Sequence, residues 1–134
     1  MQLPRLDRRE LAAIYAGGVT GALLRVGLTQ AAPHGVDTWP WATFAANIGG
    51  SLLLGYFVTR LQERLPPSSY GRPLLGTGLC GALTTFSTLQ LELFDMLDAG
   101  HLGLAAAYAS ATLLGGFAAI HLATAAVRRT RLVR

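Results

Sequence analysis

The most unusual chemistry in this sequence lies in a stretch rich in glycine and hydroxyl side chains, residues 76–88. Its letters are GTGLCGALTTFST, so three glycines precede four hydroxyl side chains within five residues. Glycine and threonine are poor helix formers, and serine and threonine hydroxyls compete for backbone hydrogen bonds. We therefore predict a break in the helix near residues 81–85. At membrane depth such breaks occur inside protein or beside a cavity, where freed carbonyl oxygens commonly bind cations.

Two other groups of polar side chains recur at helical spacing. Thr43, Asn47 and Ser51 lie four residues apart and so share one face of a helix. This stripe has two interpretations, an interhelical hydrogen-bond clamp or the wall of a pore, and the spacing alone does not choose between them. Tyr108 and Thr112 show the same spacing and form a candidate polar track.

Arg25 is the single charged residue between positions 11 and 36, and it follows Gly17 and Gly21 at spacing four. Small residues at this spacing let helix backbones approach closely, so we assign the glycines to packing. An arginine inside a membrane either faces a polar interior or extends its side chain to the nearer interface. We favour a polar interior or vestibule for Arg25.

The remaining reactive side chains do not form a catalytic set. His34, His101 and His121 are far apart in the sequence, and no cysteine or carboxylate stands at ligand spacing from them, which argues against a zinc site. The sequence has no serine–histidine–acid set, phosphate-binding loop or carboxylate pair, so we predict that the chain is not an enzyme. A single cysteine excludes a disulfide scaffold.

The elements that position these residues are predicted to be membrane-spanning helices. Charged residues make up 13% of the 134 residues, about half the usual share in a soluble domain. A spanning helix needs about 20 mainly apolar residues, and four runs of this kind occupy most of the chain. We predict an all-α integral membrane protein with a broken third helix. It forms one domain, 1–134, with four transmembrane helices near 11–32, 39–60, 73–95 and 101–127.

The arginines also predict the orientation in the membrane. The connections that follow the first and third spans contain no arginine and carry Asp37, Asp95 and Asp98. The positive-inside rule therefore places both termini in the cytoplasm. Because these arginines flank spans, we expect contact with membrane lipid and no nucleic-acid partner. The ten arginines on the other side are Arg5, Arg8, Arg9, Arg60, Arg64, Arg72, Arg128, Arg129, Arg131 and Arg134.

Taken together, the motifs resemble the CrcB/Fluc family of fluoride channels, and the resemblance covers all four predicted helices. The first two motifs are GGVTGALLR at 17–25 and TFAANIGGS at 43–51. The third, GLCGALTTFST at 78–88 with Glu92 beyond it, is highly specific. The resemblance implies a channel in the bacterial plasma membrane that exports fluoride passively and reduces its toxicity in the cytoplasm.

The resemblance also implies an antiparallel dimer with two narrow fluoride pathways and a central sodium ion. It implies that the backbone carbonyls of Gly81 and Thr84 hold the sodium and that Phe86 presents a ring edge to fluoride. Arg25 and Thr43 are implied as polar groups of the vestibule or of the structure around it. The implied hydrogen-bond donors along the path are Asn47, Ser87, Thr88, Tyr108 and Thr112.

The sequence departs from the family pattern at two positions. Leu89 stands where the family usually has a second phenylalanine, and Val26 stands where an aromatic residue commonly follows the first-helix arginine. A copy inserted in the opposite orientation would also place ten arginines outside, against the positive-inside rule. We therefore hypothesise a dimer with an oppositely oriented paralogous subunit, in preference to a homodimer.

Two other functions remain as alternatives. Small multidrug transporters share this length and helix number, but they resemble one another in a membrane-embedded glutamate in the first helix. Here no acid occurs between Glu10 and Asp37. The second alternative is a non-conducting structural or assembly subunit, which the departure at Leu89 keeps open.

Overall fold

The computed structural model describes residues 7–64 and 70–129, and no β-strand occurs in these two ranges. Helix 1 is Arg8–Ala31 and helix 2 is Trp41–Arg64. Helix 3a is π-helical over Arg72–Cys80 and continues through one turn, Gly81–Leu83. Helix 3b is Phe86–Asp98 and helix 4 is Leu102–Arg129. Arg5, Arg131 and Arg134, which contribute to the predicted orientation, lie outside the described residues.

Four helices are long and apolar enough to cross a membrane, which confirms the predicted number. They span 24, 21, 27 and 28 residues, with helices 3a and 3b counted together. At about 1.5 Å per residue, each exceeds the thickness of the hydrocarbon core. Large side chains such as Leu23 and Leu114 are 67% and 70% exposed, as expected for a multi-pass membrane protein whose outer surface contacts lipid or another chain.

Local sequence sets the ends of these helices. Asp7 caps helix 1, and its carboxylate accepts hydrogen bonds from the Arg9 amide and the Tyr70 hydroxyl, which lower the pKa of Asp7. Helix 3b ends at Asp98, and Gly100 follows it with a φ of +83°, which favours glycine. The amides of Gly100 and His101 bond back to the last turn of helix 3b, which is the Schellman arrangement.

Helix 1 packs mainly on helix 3a, and glycines form the contact. A Cβ atom at Gly17 would clash with the Leu74 carbonyl oxygen, and one at Gly21 would clash with the carbonyl oxygen of Leu79. From the other side, a Cβ atom at Gly78 would lie 2.6 Å from the carbonyl oxygen of Ile14. The two backbones therefore touch directly, which confirms the packing role predicted for Gly17 and Gly21.

Helix 2 packs mainly on helix 4. A Cβ atom at Gly55 would lie 2.7 Å from the Ile120 carbonyl oxygen, so this contact is also made close to the backbone. Helix 3b lies beside helix 4, and a buried apolar cluster joins them near their connection. Its members are Leu89, Met96, Ala105 and Tyr108, with Trp39 and Phe44 packed against them. Each half of the third span thus has its own neighbours.

Candidate functional site

The candidate site begins at two extended residues between helices 3a and 3b. Thr84 has φ −76° and ψ 151°, and Thr85 has φ −146° and ψ 120°. Both the amide and the hydroxyl of Thr84 donate to the Cys80 carbonyl, at 3.1 and 3.0 Å. The amide bond is the last helical one, and the hydroxyl adds the side-chain bond that threonine makes to the preceding turn. Because Thr84 and Thr85 are then extended, the carbonyls that follow Cys80 lose their ordinary helical donors.

Asn47 of helix 2 holds Thr85 in its extended conformation. The Asn47 side-chain amide donates to the Thr85 carbonyl at 3.1 Å, and its oxygen accepts from the Thr85 amide at 2.7 Å. In a continuous helix the Thr85 amide would bond to the carbonyl of Gly81 instead. Of the two interpretations of the polar stripe, the interhelical clamp therefore matches the contacts of Asn47.

The hydroxyl of Thr85 caps helix 3b. It accepts from the Thr88 amide at 3.2 Å, donates to the Thr88 hydroxyl at 3.0 Å and lies 3.3 Å from the hydroxyl of Ser87. A hydroxyl at this position satisfies one of the free amides of the first turn. Ser87 and Thr88, which the resemblance implied as donors to fluoride, are thus gathered at this cap.

Arg25 reaches the end of helix 3a from helix 1. Its Nε donates to the Ala82 carbonyl at 3.1 Å, and the side chain is partly buried. In a continuous helix this carbonyl would accept from the Phe86 amide, so the guanidinium replaces a missing helical donor. A cation at this place also interacts favourably with the carboxyl end of a helix. This contact agrees with the interpretation of Arg25 as a polar group with a structural role inside the bundle.

A groove of about 330 Å³ lies between helices 2 and 4 and the extended residues. Phe86 in its wall is 69% exposed, whereas Thr112 is 6% exposed. The Thr112 hydroxyl has no hydrogen-bond partner among the described residues, which is unusual for a buried polar atom. None of the described residues that line the groove carries a formal charge. The polar or aromatic lining residues are Asn47, Ser51, Thr84, Thr85, Phe86, Thr112 and Phe117.

Four of the residues implied by the resemblance meet at this groove, namely Asn47, Thr84, Phe86 and Thr112. The others do not line it. Arg25 and Gly81 lie at the end of helix 3a, and Ser87 and Thr88 at the cap of helix 3b. Thr43 and Tyr108 lie beyond the groove and contact a carboxylate.

That carboxylate belongs to Glu92, which is 8% exposed. Its Oε1 accepts from the Thr43 hydroxyl at 2.5 Å, and its Oε2 accepts from the Tyr108 hydroxyl at 2.7 Å. Oε1 also lies 3.1 Å from Nε2 of His34 in the connection between helices 1 and 2. A carboxylate in an apolar protein needs such partners, because its burial without them is costly.

The contacts of Glu92 with His34 and the position of Phe117 were not predicted from the sequence. The ring of Phe117 lines the groove, is 66% exposed and lies 4.1 Å from the ring of His121. Leu89 lines the groove as well, but it is 5% exposed and packs in the cluster between helices 3b and 4. An acid inside a predicted span was the signal that could have indicated Glu92.

Comparison with known proteins identifies relatives over nearly the whole chain. The model of the family described as "CrcB-like protein, Camphor Resistance (CrcB)" matches residues 12–124. Proteins of Mycobacterium bovis and Mycobacterium tuberculosis, each named "Fluoride-specific ion channel FluC 1", are 57% identical over 132 residues, which is 98% of this chain and 100% of each relative. A "Fluoride-specific ion channel FluC" of Bordetella bronchiseptica is 41% identical over 118 residues, 87% of this chain and 89% of the relative.

Proposed function

This chain belongs to the CrcB family, and on that premise we propose that it is a fluoride channel, which exports fluoride passively and lowers its concentration in the cytoplasm. The observation that carries the proposal is the uncharged groove with the buried, unpartnered hydroxyl of Thr112. Such a hydroxyl is available to a ligand, since nothing described in the chain uses it. The names of the relatives identify fluoride as the permeant ion.

The chemistry of the groove suits a small anion that has lost most of its water. Conduction requires binding that is favourable enough for entry and weak enough for exit. A lysine or arginine in the wall would bind an anion too firmly, and the groove has neither. The exposed ring of Phe86 instead offers an electropositive edge, and Thr112 offers a hydroxyl donor. Both are neutral, so both attract fluoride without trapping it.

We further propose that the working unit is an antiparallel dimer. The groove is open along one side in a single chain, and Phe86 at its edge is exposed, so a second chain would complete the wall. The arginine distribution supports an orientation with both termini in the cytoplasm and an oppositely oriented paralogous partner. Affinity purification of this chain from its native host tests the partner: the paralogue should co-purify, and recovery of a homodimer with full fluoride flux would contradict it.

The break in the third span supports a sodium site at the dimer axis. Gly81 is exposed, and nothing lies within 4 Å of a Cβ atom built on it. The Thr85 amide, which would bond to the Gly81 carbonyl in a continuous helix, donates to Asn47 instead. Within the described ranges, no group of three or more histidine, cysteine or acidic side chains could hold a metal. Backbone carbonyls are suitable sodium ligands. The carbonyls of Gly81 and Thr84, with the same pair from a second chain, would therefore hold the ion and fix the two breaks against each other.

Fluoride efflux from liposomes tests the channel proposal. The full chain, alone or with a co-purified partner, should release trapped fluoride when a potassium ionophore balances the charge, and it should not release chloride. Thr112→Val should reduce fluoride flux by roughly tenfold, the effect of one hydrogen bond, while the free energy of unfolding is unchanged or higher. A buried hydroxyl without a partner contributes nothing to folding, so this variant separates conduction from stability.

The matched control is Thr20→Val on helix 1, where the exposed hydroxyl bonds only to its own helix. This variant should conduct like the original protein. Efflux of chloride equal to that of fluoride would contradict the proposal, as would the absence of fluoride efflux with any partner. Full flux in Thr112→Val would remove Thr112 from the pathway.

A further inference from the structure

Helix 3b extends from the groove toward the connection between helices 1 and 2. Leu89 lies in the groove wall, Glu92 follows one turn later, and Asp95 and Met96 follow after another turn. Residues three or four apart share one face of a helix, so these side chains form a continuous row. The row ends at a second cavity, of about 110 Å³, which we call the mouth cavity; its lining is His34, Gly35, Val36, Glu92, Asp95 and Met96.

Glu92 lines the mouth cavity and lies one turn beyond Leu89 of the groove wall on helix 3b. Its carboxylate bonds to Tyr108, which lies one turn from the unpartnered Thr112 on helix 4. The same carboxylate meets His34 on its other side, at 3.1 Å. The His34 side chain is 24% exposed and that of Glu92 is 8% exposed, so protons from water reach the imidazole while the carboxylate stays buried.

The charges that face His34 are negative. Glu92 and Asp95 line the mouth cavity from helix 3b, and Asp37 lies in the same connection as His34. The groups from the other helices are neutral. The Tyr108 hydroxyl of helix 4 and the Thr43 hydroxyl of helix 2 both donate hydrogen bonds to the Glu92 carboxylate. Among the residues that line this cavity, His34 is the one that can carry a positive charge.

We propose that His34 sets the charge at this end of the pathway, so that its protonation offsets the Glu92 carboxylate and raises fluoride conduction in acid. The inference rests on the proposed channel function and adds its regulation. An uncompensated carboxylate repels an anion in the nearby groove, whereas an imidazolium–carboxylate pair has no net charge. Imidazole is the side chain that changes charge between about pH 5 and 8. His34 acts through Glu92 and does not itself contact fluoride.

The test compares the pH dependence of fluoride efflux in the original protein, His34→Gln and His101→Gln. Glutamine keeps a hydrogen-bond donor for Glu92 but cannot become charged. His101 is a matched control, since it is exposed and lies in the connection between helices 3b and 4. Efflux is measured from liposomes of one batch with the same pH on both sides, about 8 or about 5.5. Protein-free liposomes give the leak at each pH.

Between these values, fluoride efflux through the original protein and His101→Gln should rise about fivefold, the scale of one unit charge acting through a partly aqueous mouth. His34→Gln should show no rise. An equal rise in His34→Gln, or none in the conducting original protein, overturns the role of His34 and leaves the channel proposal intact. If the original protein conducts no fluoride at either pH, the channel proposal fails and this role fails with it.

An infrared difference spectrum between the two pH values gives a second readout that does not depend on flux. Protonation of His34 should shift the carboxylate stretching band of Glu92, because its partner gains a charge. The difference band that this shift produces should be absent in His34→Gln and in Glu92→Gln, and present in His101→Gln. A pH-dependent carboxylate band that persists unchanged in His34→Gln contradicts the pairing.

Discussion

The two halves of the third span are held in place by opposite means. Helix 3a packs against helix 1 through glycines, where the absence of side chains lets the backbones touch. Helix 3b is held by side chains, through the bonds of Glu92 to Thr43 and Tyr108 and through the apolar cluster that it forms with helix 4. The first contact is rigid because backbone atoms cannot move aside. The second depends on hydrogen bonds between side chains, which can be removed one at a time by substitution.

The largest effect should come from filling the glycine contact. Gly21→Ala places a methyl group against the backbone of Leu79, and we expect the free energy of unfolding to fall by about 3 kcal/mol, the upper part of the range for overpacking. Gly18→Ala is the control on the same helix, since nothing lies within 4 Å of that position. It should be neutral or stabilising by up to about 1 kcal/mol. Unfolding in mixed micelles measures both, and equal stabilities would show that the backbones are not in contact.

A smaller effect is expected at the joint between the two halves. Asn47→Ala removes both hydrogen bonds to Thr85, and at about 1 kcal/mol each the variant should lose about 2 kcal/mol of stability. Fluoride flux should fall as well, because the extended residues form part of the groove. Ser51→Ala, one turn along the same stripe, should change stability by less than about 0.5 kcal/mol. If the two variants lose the same stability, Asn47 is not the clamp.

The smallest effect on stability should come from the ring at the edge of the groove. Phe86→Ile should leave assembly intact, because the side chain is 69% exposed, yet reduce fluoride flux by about fivefold through loss of the aromatic edge. Phe94→Ile provides the control, since Phe94 is on the same helix, is 64% exposed and lines a different groove. Efflux from liposomes distinguishes the two variants. Equal flux in both would exclude Phe86 from the pathway.

Features that depend on length or size could be predicted from the sequence. The number of spans follows from four apolar runs, because the thickness of the membrane sets the length a helix needs. The packing role of Gly17 and Gly21 follows from residue size and spacing, and the structure confirms it. The groove residues Asn47, Phe86 and Thr112 were indicated by motifs and polar spacing, and the structure brings them together.

Contacts between distant segments could not be predicted in this way. The spacing of Thr43, Asn47 and Ser51 defines a face of helix 2, but it does not identify the neighbour, and Thr85 lies 38 residues from Asn47. His34 and Glu92 are 58 residues apart, so no local pattern joins them. The ring of Phe117 lines the groove beside residues of helix 2, and this arrangement depends on the packing of helix 4 on helix 2.

The glycine contact between helices 1 and 3a also constrains how the protein is made. Helix 1 is synthesised before helix 2, but its main partner, helix 3a, is synthesised only after helix 2. Helix 2 has helix 4 as its main partner, so the two main pairs alternate along the chain. Neither pair consists of two consecutive spans. Since helix association in lipid relies on close packing, the nascent chain carries an unmatched glycine surface until the third span arrives. The two main helix pairs of the bundle are therefore both complete only after helix 4 has been synthesised.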